Sequence, residues 1–269
     1  MQLFATDLDG TLLNSSGEIS QANISALNAA KNAGLHVVFV TGRPPRWMEQ
    51  IGHATGIHSA AICANGALVL DVATGETIHA DFLDRELALE VVQGLQSLDA
   101  GVSFAVEVAT QSDSFLIDHT YQPRWETPRP VPRMPVEEMF SSGRVVKLLA
   151  RPSKNASLDA DQFVSAAEEI AGHLVDFTHS NIHDVLLEMS PIGINKGSAL
   201  ERFATNLGVS QNLVAAVGDM PNDIPMISWA GKGAAVANAH EEVKAVADLL
   251  LPSNDDDAVA HFIGQLLND

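Results

Sequence analysis

Near its start the chain has a short apolar stretch that runs into two carboxylates, Leu3-Phe4-Ala5-Thr6-Asp7-Leu8-Asp9-Gly10-Thr11. The first four residues predict a buried strand. Side chains two positions apart share one face of an extended chain, so Asp7 and Asp9 can converge at the carboxyl end of this strand. Ligands bind at that end in open α/β sheets. The pair suits metal binding or acid–base chemistry, whereas the alternative is an Asp-Gly turn with a capping aspartate.

Strands and helices alternate outward from this stretch. Ser20 is a suitable N-cap for a helix that ends at Gly34, and residues 35–40 follow as a second buried strand. Pro44 then predicts the start of another helix. Alternation of this kind indicates an α/β fold with a doubly wound parallel sheet and helices on both faces.

The pattern changes between residues 84 and 187, where helical segments mix with short strands. Five of the twelve prolines of the chain lie in residues 122–135, which therefore form neither a helix nor a central strand. After this region the alternation of strand and helix returns. We therefore predict a core domain made of residues 1–83 and 188–269, with an inserted α+β domain at 84–187.

Composition limits the classes of partner. Fifteen Lys and Arg residues against thirty-four Asp and Glu residues give a formal net charge of −19, which disfavours nucleic acid and anionic membranes as partners. The single cysteine, Cys63, excludes an internal disulfide and fits a reducing compartment. Because no targeting or membrane-spanning segment is visible, we expect a cytoplasmic protein.

Three further motifs stand at predicted boundaries between strand and helix. The turn Thr41-Gly42-Arg43 offers a hydroxyl and backbone N–H groups to an anion. A lysine at a helix N-terminus, such as Lys196, is unfavourable unless an anion lies beside it. The segment Gly218-Asp219-Met220-Pro221-Asn222-Asp223 adds oxygen ligands at the end of a late strand, although Asp and Asn are also common helix caps.

Together, and in this order, the four motifs resemble those of the haloacid dehalogenase superfamily. The turn Asn65-Gly66-Ala67, the context Asn195-Lys196-Gly197 and the pair Asn238-Ala239 are similar, more narrowly, to Cof-type phosphatases. This resemblance implies a Rossmann-like core with a large inserted α/β cap that selects the substrate. It also implies a hydrolase of phosphate monoesters that depends on Mg²⁺.

The resemblance assigns a role to each matching residue. It implies that Asp7 is the nucleophile, which forms an aspartyl-phosphate, and that Asp9 is the general acid and base. The residues that it implies for the phosphoryl group are Leu8, Thr41, Gly42, Lys196 and Asn222. The metal ligands that it implies are Asp7, Asp9, Asp219 and Asp223.

Basic residues of the inserted segment are candidates for substrate selection. Arg124, Arg129 and Arg133 cluster in its proline-rich stretch, and Arg43 beside the anion turn is a fourth candidate. The alternative is that these arginines pair with surface acids. We expect a small phosphorylated metabolite, such as a sugar phosphate, as substrate. A phosphomutase-type transferase and a non-catalytic protein that binds a phosphate ligand are the competing functions.

Overall fold

A computed structural model gives the structure of residues 1–109, 115–123, 130–153, 160–178 and 186–268. The chain divides into two compact units. The first consists of Met1–His79 and Asn195–Asp269, and the second is Ala80–Ile194. The segment predicted as an insertion, residues 84–187, lies within the second unit.

Strands and helices alternate over most of the described chain. The described strands are β1 Leu3–Thr6, β2 His36–Val40, β3 Ala60–Cys63, β4 Leu68–Asp71, β5 Thr77–Ala80, β6 Ser103–Val108, β7 Phe115–Ile117, β8 Val145–Arg151, β9 Asp176–Thr178, β10 Leu187–Ser190, β11 Val214–Gly218, β12 Lys232–Ala235 and β13 Leu249–Leu250. The described helices are α1 Gln21–Asn32, α2 Met48–Thr55, α3 Arg85–Leu98, α4 Val136–Met139, α5 Ala160–Ala171, α6 Lys196–Asn206, α7 Ile224–Trp229, α8 Glu241–Val246 and α9 Ala258–Asn268.

The first unit is built around a sheet with the strand order β13-β12-β11-β1-β2-β3-β4-β5. Strand β1 lies between β11 and β2 and is parallel to both, and β2 is parallel to β3. The hairpin partner β4 runs antiparallel to β3, across the predicted Asn65-Gly66 turn. The parallel strands confirm the predicted α/β fold. Every residue of β1 is buried, as expected for a central strand of a parallel sheet that is covered on both faces.

Local sequence signals set the helix ends of this unit. The Ser20 hydroxyl accepts a hydrogen bond from the backbone N–H of Asn23, as the predicted N-cap requires. The helix predicted from Pro44 begins later, at Met48, after a 3₁₀ turn at Pro45–Trp47. The cause is the second proline, since a residue that precedes proline is disfavoured in the helical conformation, and Pro44 is extended, with φ −75° and ψ 158°.

The second unit is an antiparallel sheet with helices on one face. Its strand order is β7-β6-β8-β10-β9, and its pairs are antiparallel. Side chains of α3 and α5, such as Val92 and Phe163, pack with Phe104 and Leu148 of the sheet. The opposite face of the sheet carries apolar residues together with buried charged ones.

No helix in the described ranges of the chain is long and apolar enough to cross a membrane.

Candidate active site

The order of the central strands brings three of the sequence motifs to one edge of the sheet. Asp7 follows β1, Thr41 follows β2 and Asp219 follows β11, and β1 is the middle strand of the three. Because parallel strands end at the same edge, these residues become neighbours although they are far apart in the chain. The backbone N–H of Asp7 donates to the carbonyl of Val217 at 3.0 Å, which extends the strand pairing into the motif.

Lys196 holds two carboxylates at this edge. It is the first residue of α6, its side chain is 1% exposed, and Asn195 caps the helix before it. Its Nζ donates to Asp7 Oδ1 at 2.7 Å and to Asp223 Oδ1 at 2.6 Å. Thus the anion that we expected beside this lysine is, in the protein itself, a pair of carboxylates.

Asp223 has its whole carboxylate engaged. Besides the bond from Lys196, its Oδ2 accepts hydrogen bonds from the backbone N–H groups of Asp219 and Met220, both at 3.0 Å. These bonds fold the turn after β11 around the carboxylate of Asp223. Asp223 therefore fixes both the lysine and the loop that carries Asp219.

Asp219 is the third buried acid of the site. Its Oδ1 accepts a hydrogen bond from the Thr11 hydroxyl at 2.7 Å. Gly10, with φ +76°, passes so close to Asp219 that a Cβ atom at Gly10 would overlap with the carboxylate. The close approach and the positive φ together require glycine at this position.

Electrostatics favours a cation at this cluster of acids. One carboxylate oxygen from each of Asp7, Asp219 and Asp223 lies within 4.8 Å of the other two. Burial raises the pKa of Asp7 well above its ordinary value of 3.8; Lys196 opposes this, whereas Asp223 and Asp219 add to it. Burial, together with the charge of Asp223, raises the pKa of Asp219 to about 7. Although burial alone would lower the pKa of Lys196, its two carboxylate partners raise it above the ordinary value. The site therefore holds more negative charge than one lysine neutralises.

Two buried asparagines meet beside the acids. Asn222 Nδ2 donates to Asn65 Oδ1 at 3.1 Å, while Asn222 Oδ1 is buried and accepts no hydrogen bond from the residues that the structure describes. The backbone of Asn65 has φ +57° and that of Ala64 φ +51°, a conformation that non-glycine residues rarely adopt. Such strain occurs where the surrounding structure holds a residue in a functional position.

The remaining acid of the first motif, Asp9, lies apart from the buried cluster. Its side chain is 60% exposed, and its two carboxylate oxygens accept hydrogen bonds from Arg43, Nε at 2.7 Å and Nη2 at 2.5 Å. The site thus presents one exposed carboxylate beside three buried ones. The exposed carboxylate can therefore serve proton transfer, while the three buried carboxylates can bind a positive charge.

Comparison with known proteins agrees with this geometry. The family model for haloacid dehalogenase-like hydrolases matches residues 4–263. The chain belongs to this family. It is a Cof-type phosphatase, that is, a hydrolase of phosphate monoesters, as the resemblance implied.

Two relatives of this phosphatase match it over nearly their whole length. A phosphatase of Bacillus subtilis, YwpJ, is 31% identical over 99% of this chain and 100% of its own. The 5-amino-6-(5-phospho-D-ribitylamino)uracil phosphatase YwtE of the same organism is 30% identical over 100% of this chain and 99% of its own. The solved structure of a haloacid dehalogenase-like hydrolase from B. subtilis superposes with a TM-score of 0.81, at 28% identity, over 99% of this chain and 100% of that one.

The other predicted site residues of the phosphatase have the following places. Leu8 is buried in the turn after Asp7, and its carbonyl accepts a hydrogen bond from Leu13 N–H at 2.8 Å. Thr41 is buried, and its hydroxyl accepts from the backbone N–H of Arg43 at 3.0 Å. Gly42 lies between them in the same turn. The structure thus places these residues in the first unit with the acids, while their contacts to phosphate stay predictions.

The arginines predicted for the inserted segment of the phosphatase have separate outcomes. Arg124 and Arg129 lie outside the described residues. Arg133 donates from Nη1 to the backbone carbonyls of Asp118 and Tyr121, at 2.9 and 3.0 Å. Arg133 therefore stabilises the chain between residues 118 and 121, and its role in substrate selection stays a prediction.

Sequence reasoning missed two polar residues of the site. Thr11 orients Asp219, and Asn65 holds Asn222, yet neither was a candidate site residue. Thr11 belongs to the first motif, where only Gly10 separates it from Asp9, and Asn65 stands in an Asn-Gly turn at a strand end. Position along the chain was therefore the available signal. Their partners lie 208 and 157 residues away, which no local pattern reports.

Proposed function

We propose that the protein is a Mg²⁺-dependent phosphatase of small phosphorylated metabolites that works through an aspartyl-phosphate on Asp7. The observation that carries the proposal is the imbalance of buried charge: three carboxylates with oxygens within 4.8 Å face one lysine. An exposed carboxylate, Asp9, stands two residues from the buried Asp7. Phosphoryl transfer needs alignment and charge neutralisation above all, and both are supplied by such a set.

In the first step an oxygen of the Asp7 carboxylate attacks the phosphorus atom of the substrate. The bond between Asp7 and phosphorus forms as the bond between phosphorus and the leaving oxygen breaks. Asp9 donates a proton to the leaving oxygen, so the product departs as an alcohol. The exposure of Asp9 suits this role, because the leaving group has to reach its carboxyl group.

In the second step water attacks the phosphorus of the aspartyl-phosphate. Asp9, which lost its proton in the first step, takes one from this water. Inorganic phosphate leaves, and the Asp7 carboxylate is restored. Each proton given by Asp9 is thus recovered within one turnover.

The acids of the site fit a hard divalent cation, since every donor atom is oxygen. Asp7 and Asp219 would supply carboxylate oxygens and Asp9 its backbone carbonyl. Asp223, whose carboxylate already accepts three hydrogen bonds, would contact the ion through water. The chemistry that Mg²⁺ supplies when bound is neutralisation of charge on the phosphoryl oxygens.

The phosphoryl oxygens would be held by groups that surround Asp7. Lys196 provides the positive charge, and the backbone of Leu8 and Gly42 and the hydroxyl of Thr41 provide neutral donors. The Asn222 amide has a second N–H besides the one given to Asn65. Because Asn65 fixes this amide, it would point to the phosphoryl group without further loss of rotational freedom.

The relatives and the division of the chain support a proposal for the substrate class. One relative is named for a phosphorylated ribityl compound. We infer a small phosphorylated metabolite, such as a sugar phosphate, for this chain as well. The motif residues lie in the first unit, so the inserted segment, residues 84–187, would select the leaving group, with Arg124, Arg129 and Arg133 as candidates.

The test is a panel of phosphorylated sugars, polyols and cofactors, assayed for release of inorganic phosphate with Mg²⁺ and with excess chelator. We expect release from several members of the panel, and none with chelator. Asp9→Asn keeps the nucleophile but lacks the acid–base group, so it should accumulate phosphorylated protein, detectable by its mass. Full turnover in chelator would overturn the metal, and transfer of phosphate to a second hydroxyl without release would indicate a mutase.

A further inference from the structure

The geometry points to Arg43 as a positioning residue that orients Asp9 for its proton transfers. This inference rests on the proposed role of Asp9 as general acid and base. The guanidinium of Arg43 binds the Asp9 carboxylate through two parallel hydrogen bonds, Nε to Oδ2 at 2.7 Å and Nη2 to Oδ1 at 2.5 Å. Such a pair fixes the carboxylate in plane and in distance, which a single hydrogen bond does not. When Asp9 carries the proton that it gives to the leaving oxygen, its unprotonated oxygen still accepts a hydrogen bond from Arg43, so the carboxyl group stays oriented in both steps.

Asp9 needs external support more than the other acids do. Asp7 and Asp219 are buried and are held by Lys196 and Thr11, respectively. The side chain of Asp9 is 60% exposed, so without a partner it would rotate among several conformers in solvent. Misplacement by about 1 Å is enough to cost on the order of 10²-fold in rate, so orientation of this carboxylate matters to catalysis.

Arg43 is itself rigid enough to orient another residue. Its backbone N–H donates to the Thr41 hydroxyl at 3.0 Å, and its carbonyl accepts from Ala64 N–H at 3.0 Å. Its guanidinium lies 4.9 Å from the ring centroid of Trp47, and its side chain is only 23% exposed. Arg43 thus connects the turn proposed to bind phosphate with the group proposed to transfer protons.

This role differs from the one that the sequence predicted for Arg43, which was contact with the substrate. An arginine that binds the leaving group changes the rate according to the shape and charge of that group. An arginine that acts through Asp9 changes the rate according to how much the leaving oxygen needs a proton. These two dependences are separable by experiment.

The experiment compares two aryl phosphates of similar shape, phenyl phosphate and 4-nitrophenyl phosphate. Phenol is the poorer leaving group and needs protonation, whereas 4-nitrophenol leaves readily as an anion. In Arg43→Ala we expect kcat/KM to fall on the order of 10²-fold for phenyl phosphate and less than about tenfold for 4-nitrophenyl phosphate. Arg43→Lys keeps the charge but not the two parallel bonds, so it should recover only part of the loss.

The matched control is Arg46→Ala. Arg46 lies in the 3₁₀ turn Pro45–Trp47 that follows Arg43, and its guanidinium stands over the same Trp47 ring at 5.9 Å. We assign it no part in the reaction. Its substitution should leave kcat/KM for both phosphates within about twofold. Thermal unfolding of each variant in parallel ensures that the rates compare folded proteins.

A double-mutant cycle completes the test. In the Asp9→Asn background, release of nitrophenol in the first turnover should be the same with Arg43 or Ala at position 43, because an arginine that acts only through Asp9 has nothing left to orient. An equal loss on both phosphates in Arg43→Ala, or a further loss in the Asp9→Asn background, would overturn the role of Arg43 while leaving the proposed mechanism intact. If Asp9→Asn itself loses no more on phenyl phosphate than on 4-nitrophenyl phosphate, the general acid of the proposed function is wrong, and the role of Arg43 with it.

Discussion

The two units of the chain bury charge in different ways. Each has four buried charged side chains among the described residues. In the second unit two bases stand against two acids; these residues are Glu107, Lys147, Arg151 and Glu188. In the first unit one base stands against three acids; these residues are Asp7, Lys196, Asp219 and Asp223.

The buried charges of the second unit neutralise one another, whereas those of the first unit need an added group for neutralisation. Lys147 and Glu188 form an ion pair at 2.5 Å on adjacent strands, and Glu107 lies opposite Lys147 in register. That set is electrically balanced without any added group. The first set keeps an excess of two negative charges, which protons or a cation must offset. The site is distinguished by the net negative charge of its buried side chains, and not by the presence of buried charges alone.

The largest effect that we predict comes from removal of one charge from the unbalanced set. Asp7→Asn should lower the rate of phosphate release on the order of 10⁴-fold or more, because an amide is nearly isosteric but is not a nucleophile. The protein should stay folded, since the change reduces the repulsion among the acids. Rates are measured with Mg²⁺, with mass spectrometry to exclude deamidation. A rate within tenfold of the unmodified protein would show that water, and not Asp7, attacks the phosphate.

Next in size is the effect of breaking the balanced set. Lys147→Met leaves Glu188 buried without this partner and should lower the free energy of unfolding by about 3–5 kcal/mol. Replacing both residues, Lys147→Met with Glu188→Leu, should recover most of that loss, because two apolar side chains need no charge partner. Urea unfolding of the single and double variants provides the measurement. If the double variant is as unstable as the single one, the pair does more than balance charge.

The third prediction concerns pH in the presence of chelator. The folded chain raises the pKa of Asp219 from 3.8 to about 7, so the folded state binds this proton more tightly than the unfolded state. The bound proton stabilises the folded state by about 1.4 kcal/mol for each unit by which the two pKa values differ. This stabilisation is complete below about pH 4 and is lost as the pH rises through about 7. Free energies of unfolding at several pH values test this. Asp219→Asn is the control and should make the profile less steep, while the contribution from the raised pKa of Asp7 remains. A slope that this variant leaves unchanged would assign the titration to another group.

The smallest effect is on the affinity for the metal. Asp219→Asn should raise the Mg²⁺ concentration for half-maximal activity by about 10–100-fold, as one oxygen donor loses its charge. The same chemical change in the balanced set, Glu188→Gln, should leave that concentration unaltered. Activity titrated against Mg²⁺ in both variants measures the difference. Equal shifts in the two variants would remove the distinction between the two sets.

Local patterns in the sequence predicted a large part of the fold. Strand β1 was visible as a short apolar run, and Ser20 marked the start of α1, because burial and capping depend on residues within a few positions. The helix expected from Pro44 begins only at Met48, because the second proline keeps Pro44 in an extended conformation.

The sequence by itself also determined which residues gather at the carboxyl edge of the sheet. Asp7, Thr41 and Asp219 each follow a strand, and parallel strands share that edge, so their proximity follows from the pattern alone. The tertiary structure alone decided which side chain binds which: Lys196 with Asp223, Asn65 with Asn222, and Arg43 with Asp9. These partners are 27, 157 and 34 residues apart, and a hydrogen bond depends on distances of tenths of an ångström that only the packed chain fixes.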